Sequence, residues 1–254
     1  MSKIDRSRLF YQLRQKTKQR RLKYGPLHMC PQHQQHVQEI KRNNQEQKRE
    51  NKLITAIVGS SMARNISVQN IESETDEVRL RFKSGSDCAD AVAWLLSSDS
   101  QRFMLNVNHL VFILGTNDIH RAGAYESIRR IDYIIDTIRR LYPGVNIVWQ
   151  LLQQRTRKTW LLPEGSAVLN EIKKCNVELL QLASEKNFDT IQPDIPINEM
   201  YDGLHPTAYG VRMMETTIGN YIKQTKMVYS SSFSSGPRRF QRNASPAPLM
   251  SIKF

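Results

Sequence analysis

Three short segments carry the residue types that acyl transfer needs, in a fixed order along the chain: Gly59-Ser60-Ser61, Gly115-Thr116-Asn117-Asp118 and Asp202-Gly203-Leu204-His205-Pro206. A serine hydroxyl is a weak nucleophile until an imidazole takes its proton. That imidazole must itself be held in one tautomer by a carboxylate. Ser61, His205 and Asp202 are of these three types. Asp202 and His205 are three residues apart, so on a turn or a first helical turn they can stand side by side. Asn117 adds an amide donor for a developing oxyanion, a contribution of about 3 kcal/mol in comparable sites. The chemistry expected of this set is ester cleavage by a serine nucleophile, with no metal and no cofactor.

Taken singly, each of these residues also has an ordinary structural reading. A serine just past a strand often caps a helix. An asparagine after glycine commonly bonds its own backbone in a turn. An aspartate ahead of a helix can simply cap it, and Asp118 is expected to cap the segment that follows it. Gly85, in Lys83-Ser84-Gly85-Ser86-Asp87, can bring a backbone N–H close to a substrate because it has no side chain. Small residues suit the start of a helix in any case. The expectation therefore rests on the conjunction of the segments.

The elements that must position these residues alternate along the chain. Leu53 to Val58 is a short apolar run ending at Gly59, a buried strand. Glu77 to Phe82 alternates Val78, Leu80 and Phe82 with Arg79 and Arg81, a half-buried strand. A helix is expected over Ala89 to Leu96. Leu110 to Leu114 is wholly apolar and ends at Gly115, a central strand. Tyr125 to Leu141 places isoleucines at helical spacing and stops at Pro143-Gly144. Val145 to Leu152 is the next strand, Ala167 to Leu182 a helix, Phe188 to Ile191 a last strand and Ala208 to Ile222 a last helix. Strands alternating with helices point to an α/β fold with a parallel sheet covered on both faces. Ligands bind such sheets at the carboxyl ends of the strands, where Ser61 and Asn117 fall.

Composition bounds the rest. The chain has 254 residues, a net charge of +13 and a hydrophobic fraction of 39%. The charge is uneven: residues 1–52 carry a net +10, residues 53–222 a net −3 and residues 223–254 a net +6. The expected organisation is a basic Gln/Lys/Arg-rich arm over 1–52, disordered or conditionally helical, a folded domain over 53–225, and a flexible Ser/Pro/Arg tail over 226–254. Cys30, Cys88 and Cys175 suggest neither a disulfide framework nor a zinc site, and Cys30-x-x-His33-x-x-His36 lacks a fourth ligand. A reducing compartment, cytoplasmic or nuclear, is expected. The first residues are charged and Gln-rich where a signal peptide needs an apolar stretch. No apolar run approaches the roughly 18 residues of a membrane span.

The segments resemble the four blocks of the SGNH, or GDSL-type, hydrolase superfamily: a serine, a glycine, an asparagine, then aspartate-x-x-histidine. Ser61, Gly85, Asn117, Asp202 and His205 stand in that order, and the resemblance spans residues 53 to about 222. It implies a three-layer α/β/α sandwich, flavodoxin-like, with a five-stranded parallel sheet. It also implies an oxyanion hole built from the Ser61 N–H, the Gly85 N–H and the Asn117 side chain. One block departs from the family, whose first block usually reads Gly-Asp-Ser; here Ser60 stands in place of the aspartate, and its hydroxyl is the group left to hold the turn. Two other classes fit less well. A Gly-x-Ser-x-Gly elbow would need a closing glycine where Ala63 stands, and no Gly-rich phosphate loop follows any strand.

Arg155, Arg157, Lys158 and Trp160 follow the fourth strand at the same rim and are expected to form a substrate-facing loop. The alternative function is a weak or inactive hydrolase fold used for binding. In that case Lys16, Lys18, Arg20, Arg21 and Lys23 of the arm would contact nucleic acid through its phosphates, without base specificity. A basic arm joined to such a domain is similar in arrangement to first-frame proteins of some non-LTR retrotransposons. If the arm binds nucleic acid, affinity should fall steeply with salt and vanish when residues 1–52 are removed; a filter-binding titration giving the same affinity without them rejects this role.

Overall fold

The computed structural model describes residues 52–156 and 165–233. Five strands form one sheet: β1 (Leu53–Gly59), β2 (Asp76–Phe82), β3 (His109–Ile113), β4 (Asn146–Gln150) and β5 (Asp189–Ile191). Their order is β2-β1-β3-β4-β5, and every pairing is parallel. The helices are α1 (Cys88–Leu95), α2 (Ser98–Phe103), α3 (Thr116–Leu141), α4 (Gly165–Lys186) and α5 (Ala208–Phe233). This is the expected α/β architecture with five parallel strands.

Burial explains the strand patterns. β3 is buried at every position and β1 from Ile54 onward, because helices cover both faces of the central strands. β2, at one edge, is only half covered and keeps its arginines. On one face Ile57, Val111, Val148 and Ile191 pack against Val211, Met214, Ile218 and Ile222 of α5. Strand alternation turns Ala56, Val58, Leu110 and Phe112 to the other face, and all four are buried. Phe112 stacks on Trp149 with ring centroids 4.8 Å apart.

Four features differ from the sequence expectation. α3 starts at Thr116 rather than Tyr125, because it is two helices joined at Gly123, whose φ of +77° breaks the periodic pattern. The second piece has its own cap: Glu171 Oε2 accepts the Ala124 N–H at 2.9 Å. The short α2 went unread because Ser98-Asp99-Ser100-Gln101 shows no apolar stripe; Ser100, fully buried, donates its hydroxyl to the carbonyls of Leu95 and Ser97. β4 stops at Gln150, so residues 151–156 are irregular. The last helix continues to Phe233, so residues 226–233, expected in the flexible tail, are helical. Residues 1–51 of the arm expected over 1–52, and the tail beyond 233, lie outside the described residues.

One glycine sets the approach of the first turn to the sheet. A Cβ on Gly59 would stand 2.6 Å from the Ala63 Cβ, inside real carbon contact, and a tight 3.3 Å from the Ile113 Cβ. The chain after β1 folds back so sharply that only hydrogen fits there. Gly59→Ala should therefore cost about 1–3 kcal/mol of stability by overpacking. Chemical denaturation checks it, and a loss under about 0.5 kcal/mol would contradict the close approach.

Candidate active site

The strand order turns between β1 and β3, since the chain leaves β1 for β2 on one side and returns past it to β3 on the other. The crevice outside the carboxyl ends of such a pair is where doubly wound sheets bind ligands. Ser61 follows β1, and Asn117 opens α3 just after β3. Ser60 ties the two ends together, its N–H donating to the Ile113 carbonyl at 3.2 Å. The Ser60 hydroxyl, 2% exposed, accepts the Met62 N–H at 3.4 Å and caps the 3-10 turn Ser61–Ala63. This long bond is the side-chain support of the turn.

His205 reaches this crevice from a turn shaped by Asp202. Asp202 Oδ1 accepts the N–H groups of Leu204 (3.0 Å) and His205 (2.7 Å), an Asx-type arrangement that curls the chain. Gly203 adopts φ +72° to allow it. Tyr201 N–H donates to the His205 carbonyl at 3.0 Å and closes the turn. The Tyr201 ring stacks on the imidazole at 5.9 Å.

The three side chains fall in line. Asp202 Oδ2 lies 2.7 Å from His205 Nδ1, and His205 Nε2 lies 2.9 Å from Ser61 Oγ. For the Asp202 carboxyl, burial is the largest influence and pushes its pKa up. The bonds from the His205 N–H, the imidazole and the Leu204 N–H together outweigh it and hold the pKa at about 2. An ionised Asp202 can only accept, so Nδ1 carries the proton and the Nε2 lone pair faces the Ser61 hydroxyl.

Gly85 occupies the third position of the turn Lys83–Ser86, closed by the Ser86 N–H on the Lys83 carbonyl at 3.1 Å. Its φ of +73° fits a type II turn, and open space surrounds the place of its missing Cβ. Three N–H groups that follow Gly85 are already spent. The Ser86 N–H serves Lys83, the Asp87 N–H serves Asp90 Oδ2 (3.3 Å) and the Cys88 N–H serves Asp118 Oδ2 (3.0 Å). The Gly85 N–H has no partner among the described residues, nor has the Ser61 N–H. One proton of the Asn117 amide goes to the Ser86 carbonyl at 2.7 Å, which leaves the other free to act.

Two residues sit differently from expectation. Asp118, fully buried, does not cap its own helix; it takes the Cys88 N–H and pairs with Arg130 at 3.0 Å. Burial raises its carboxyl pKa against the pull of these partners. Arg155, expected on a substrate-facing loop, is 1% exposed, and its Nη1 donates to the Thr116 carbonyl at 3.3 Å. The Thr156 N–H meets the Gly203 carbonyl at 3.0 Å. This pair thus braces the turn of His205 and the start of α3 from behind, where a buried guanidinium can satisfy carbonyls. Arg157, Lys158 and Trp160 lie outside the described residues, as do Lys16, Lys18, Arg20, Arg21, Lys23 and the Cys30/His33/His36 set. Among the described residues no cluster of three or more His, Cys, Asp or Glu is placed to hold a metal, and no helix is long and apolar enough to cross a membrane.

Solved structures with this architecture settle the fold. A GDSL-like lipase from Bacteroides thetaiotaomicron superposes with a TM-score of 0.57 at 14% identity, covering 74% of this chain and 98% of that one. The chain has the SGNH-hydrolase fold. A carbohydrate acetylesterase family member from Sinorhizobium meliloti gives 0.54 at 12% identity over 68% of this chain and 98% of its own. A lipase/acylhydrolase from Enterococcus faecalis gives 0.50 at 13% identity over 68% and 96%. No protein-family model matches the sequence, and no curated protein sequence does.

The carboxylate of Asp202 yields a pH prediction. Its folded pKa of about 2 lies below the ordinary 3.8, so its contribution to stability is present above about pH 4 and is lost as pH falls through 2. Carbon-detected NMR titration should find it ionised from pH 4 upward. In His205→Ala, which removes the imidazole partner, its midpoint should move up; an unchanged midpoint contradicts the Nδ1 bond.

Proposed function

We propose that this chain is a serine ester hydrolase acting through an acyl-enzyme, with no metal or cofactor. The observation that carries the reading is the line Asp202–His205–Ser61, closed at 2.7 and 2.9 Å, the second contact joining residues 144 positions apart in sequence. Nε2 takes the Ser61 proton as Oγ attacks the ester carbonyl carbon. Asp202 stabilises the imidazolium so formed. The carbonyl oxygen, now an oxyanion, is received by the N–H groups of Ser61 and Gly85 and the second proton of the Asn117 amide. As the tetrahedral intermediate collapses, Nε2 returns the proton to the leaving alkoxide and the alcohol departs. Water, deprotonated by Nε2, then attacks the acyl-serine and frees the acid.

The GDSL-like and acetylesterase structures of the same fold are consistent with an ester substrate.

Wild-type protein should hydrolyse p-nitrophenyl acetate and lose at least about a thousandfold in kcat/KM in Ser61→Ala and His205→Ala. Asn117→Ala should lose about 10²–10³ in kcat. A fluorophosphonate probe should label Ser61, as read by peptide mapping. Wild-type turnover no faster than that of the two triad variants overturns the reading.

A further inference from the structure

One turn of α3 grips four consecutive residues, Gly85 to Cys88, where the loop enters α1. Arg121 Nη2 donates to the Gly85 carbonyl at 3.2 Å, and Asn117 Nδ2 donates to the Ser86 carbonyl at 2.7 Å. Arg121 Nη1 also pairs with Asp87 Oδ2, and Asp118 Oδ2 takes the Cys88 N–H at 3.0 Å. Residues 117, 118 and 121 share one helix face because they are spaced by three and four. Asp87 divides its oxygens: Oδ1 caps α1 through the Asp90 N–H at 3.0 Å, while Oδ2 faces Arg121. The incoming side of the same turn is held as well. The Lys83 N–H meets the Gly59 carbonyl at 3.1 Å, and Ser84 Oγ takes Arg64 Nη2 at 2.7 Å. The turn is thus pinned on both sides, and the Gly85 N–H is among the donors it leaves uncommitted.

We propose that Arg121 is a positioning residue that fixes the Gly85 amide against the site; the inference rests on the hydrolase reading above. Glycine has more backbone freedom than any other residue, so a donor carried on glycine needs outside restraint to stay aimed. Donors that stabilise an oxyanion act because they are oriented before charge develops. Arg121 supplies that restraint through its rigid fork, which engages Gly85 and Asp87 at once with two different nitrogens. Lysine offers one point charge and cannot span both acceptors. Half of the Arg121 side chain remains exposed, so its removal opens no cavity in the core.

The test uses the full chain as wild type, Arg121→Gln and Arg121→Lys, with Arg102→Gln on α2 as a surface control. Two readouts are taken: kcat and KM for p-nitrophenyl acetate, and amide hydrogen exchange of peptides covering 83–90 and of β1 and β3. Arg121→Gln should lower kcat about 10- to 100-fold with KM changed less than about twofold, as for a small misplacement of a reacting group. Exchange over 83–90 should quicken while β1 and β3 keep their protection, and Arg121→Lys should fall between. Unchanged kcat, unchanged exchange over 83–90, or a loss of protection spread over the whole sheet overturns the proposal. Wild-type protein without turnover overturns the hydrolase reading instead, and exchange over 83–90 in Arg121→Gln then decides alone whether the restraint exists.

Discussion

The parallel register of β1 beside β3 is the constraint on which the site depends. It sets Gly59 opposite Ile113, so two strand ends, each followed by a polar segment, open into one crevice. A parallel pair must be joined by a crossover, and the crossover through β2 and α1 brings the loop of Gly85 to the same rim. Antiparallel pairing would have sent Ser61 and Asn117 to opposite ends of the sheet. The last link, from β5 through the turn at Asp202 to α5, closes the ring of contributors. Its anchor is apolar: Val211, Met214, Ile218 and Ile222 hold α5 on the sheet face behind Ser61.

The charges around the crevice are arranged by how much water each keeps. Asp202 is partly exposed and takes three hydrogen bonds, so its carboxyl stays ionised and can hold an imidazole. Asp118, next to Asn117, is fully buried and depends on Arg130 and a backbone N–H. Two carboxylates close to the same site thus hold different partners, one an imidazole and the other the ends of two loops. A buried ion pair is weak evidence for net stability, because desolvation offsets attraction. Here Asp118 joins α3, α1 and the second half of α3 at a point where apolar packing alone would leave the Cys88 N–H unsatisfied.

Much of this was legible beforehand. The apolar runs ending at Gly59 and before Gly115 identified buried parallel strands, because only strands covered on both faces lack alternation. The short range of Asp202 to His205 made their pairing a local matter, and local hydrogen bonds follow from spacing. The start of α3 was not legible: Gly123 interrupts the isoleucine periodicity, and the cap that rescues it, Glu171, comes from a distant helix. With that start unread, Arg121 could not be seen one helical turn beyond Asn117. The burial of Arg155 has no local signal, because a charged residue after a strand ordinarily faces water. Its burial depends on the carbonyl of Thr116, a partner 39 residues away.

Residue types, their order and their local spacing were therefore determined by the chain alone: a serine, a glycine, an amide and a carboxylate–imidazole pair at the ends of apolar runs. Which of the loop's N–H groups stay uncommitted, and which cations are buried rather than presented, were decided only by tertiary structure. Hydrogen-bond capacity is a property of a residue, whereas its consumption depends on whatever partner the fold brings within 3 Å. Sequence counts the donors; packing decides which of them remain to act.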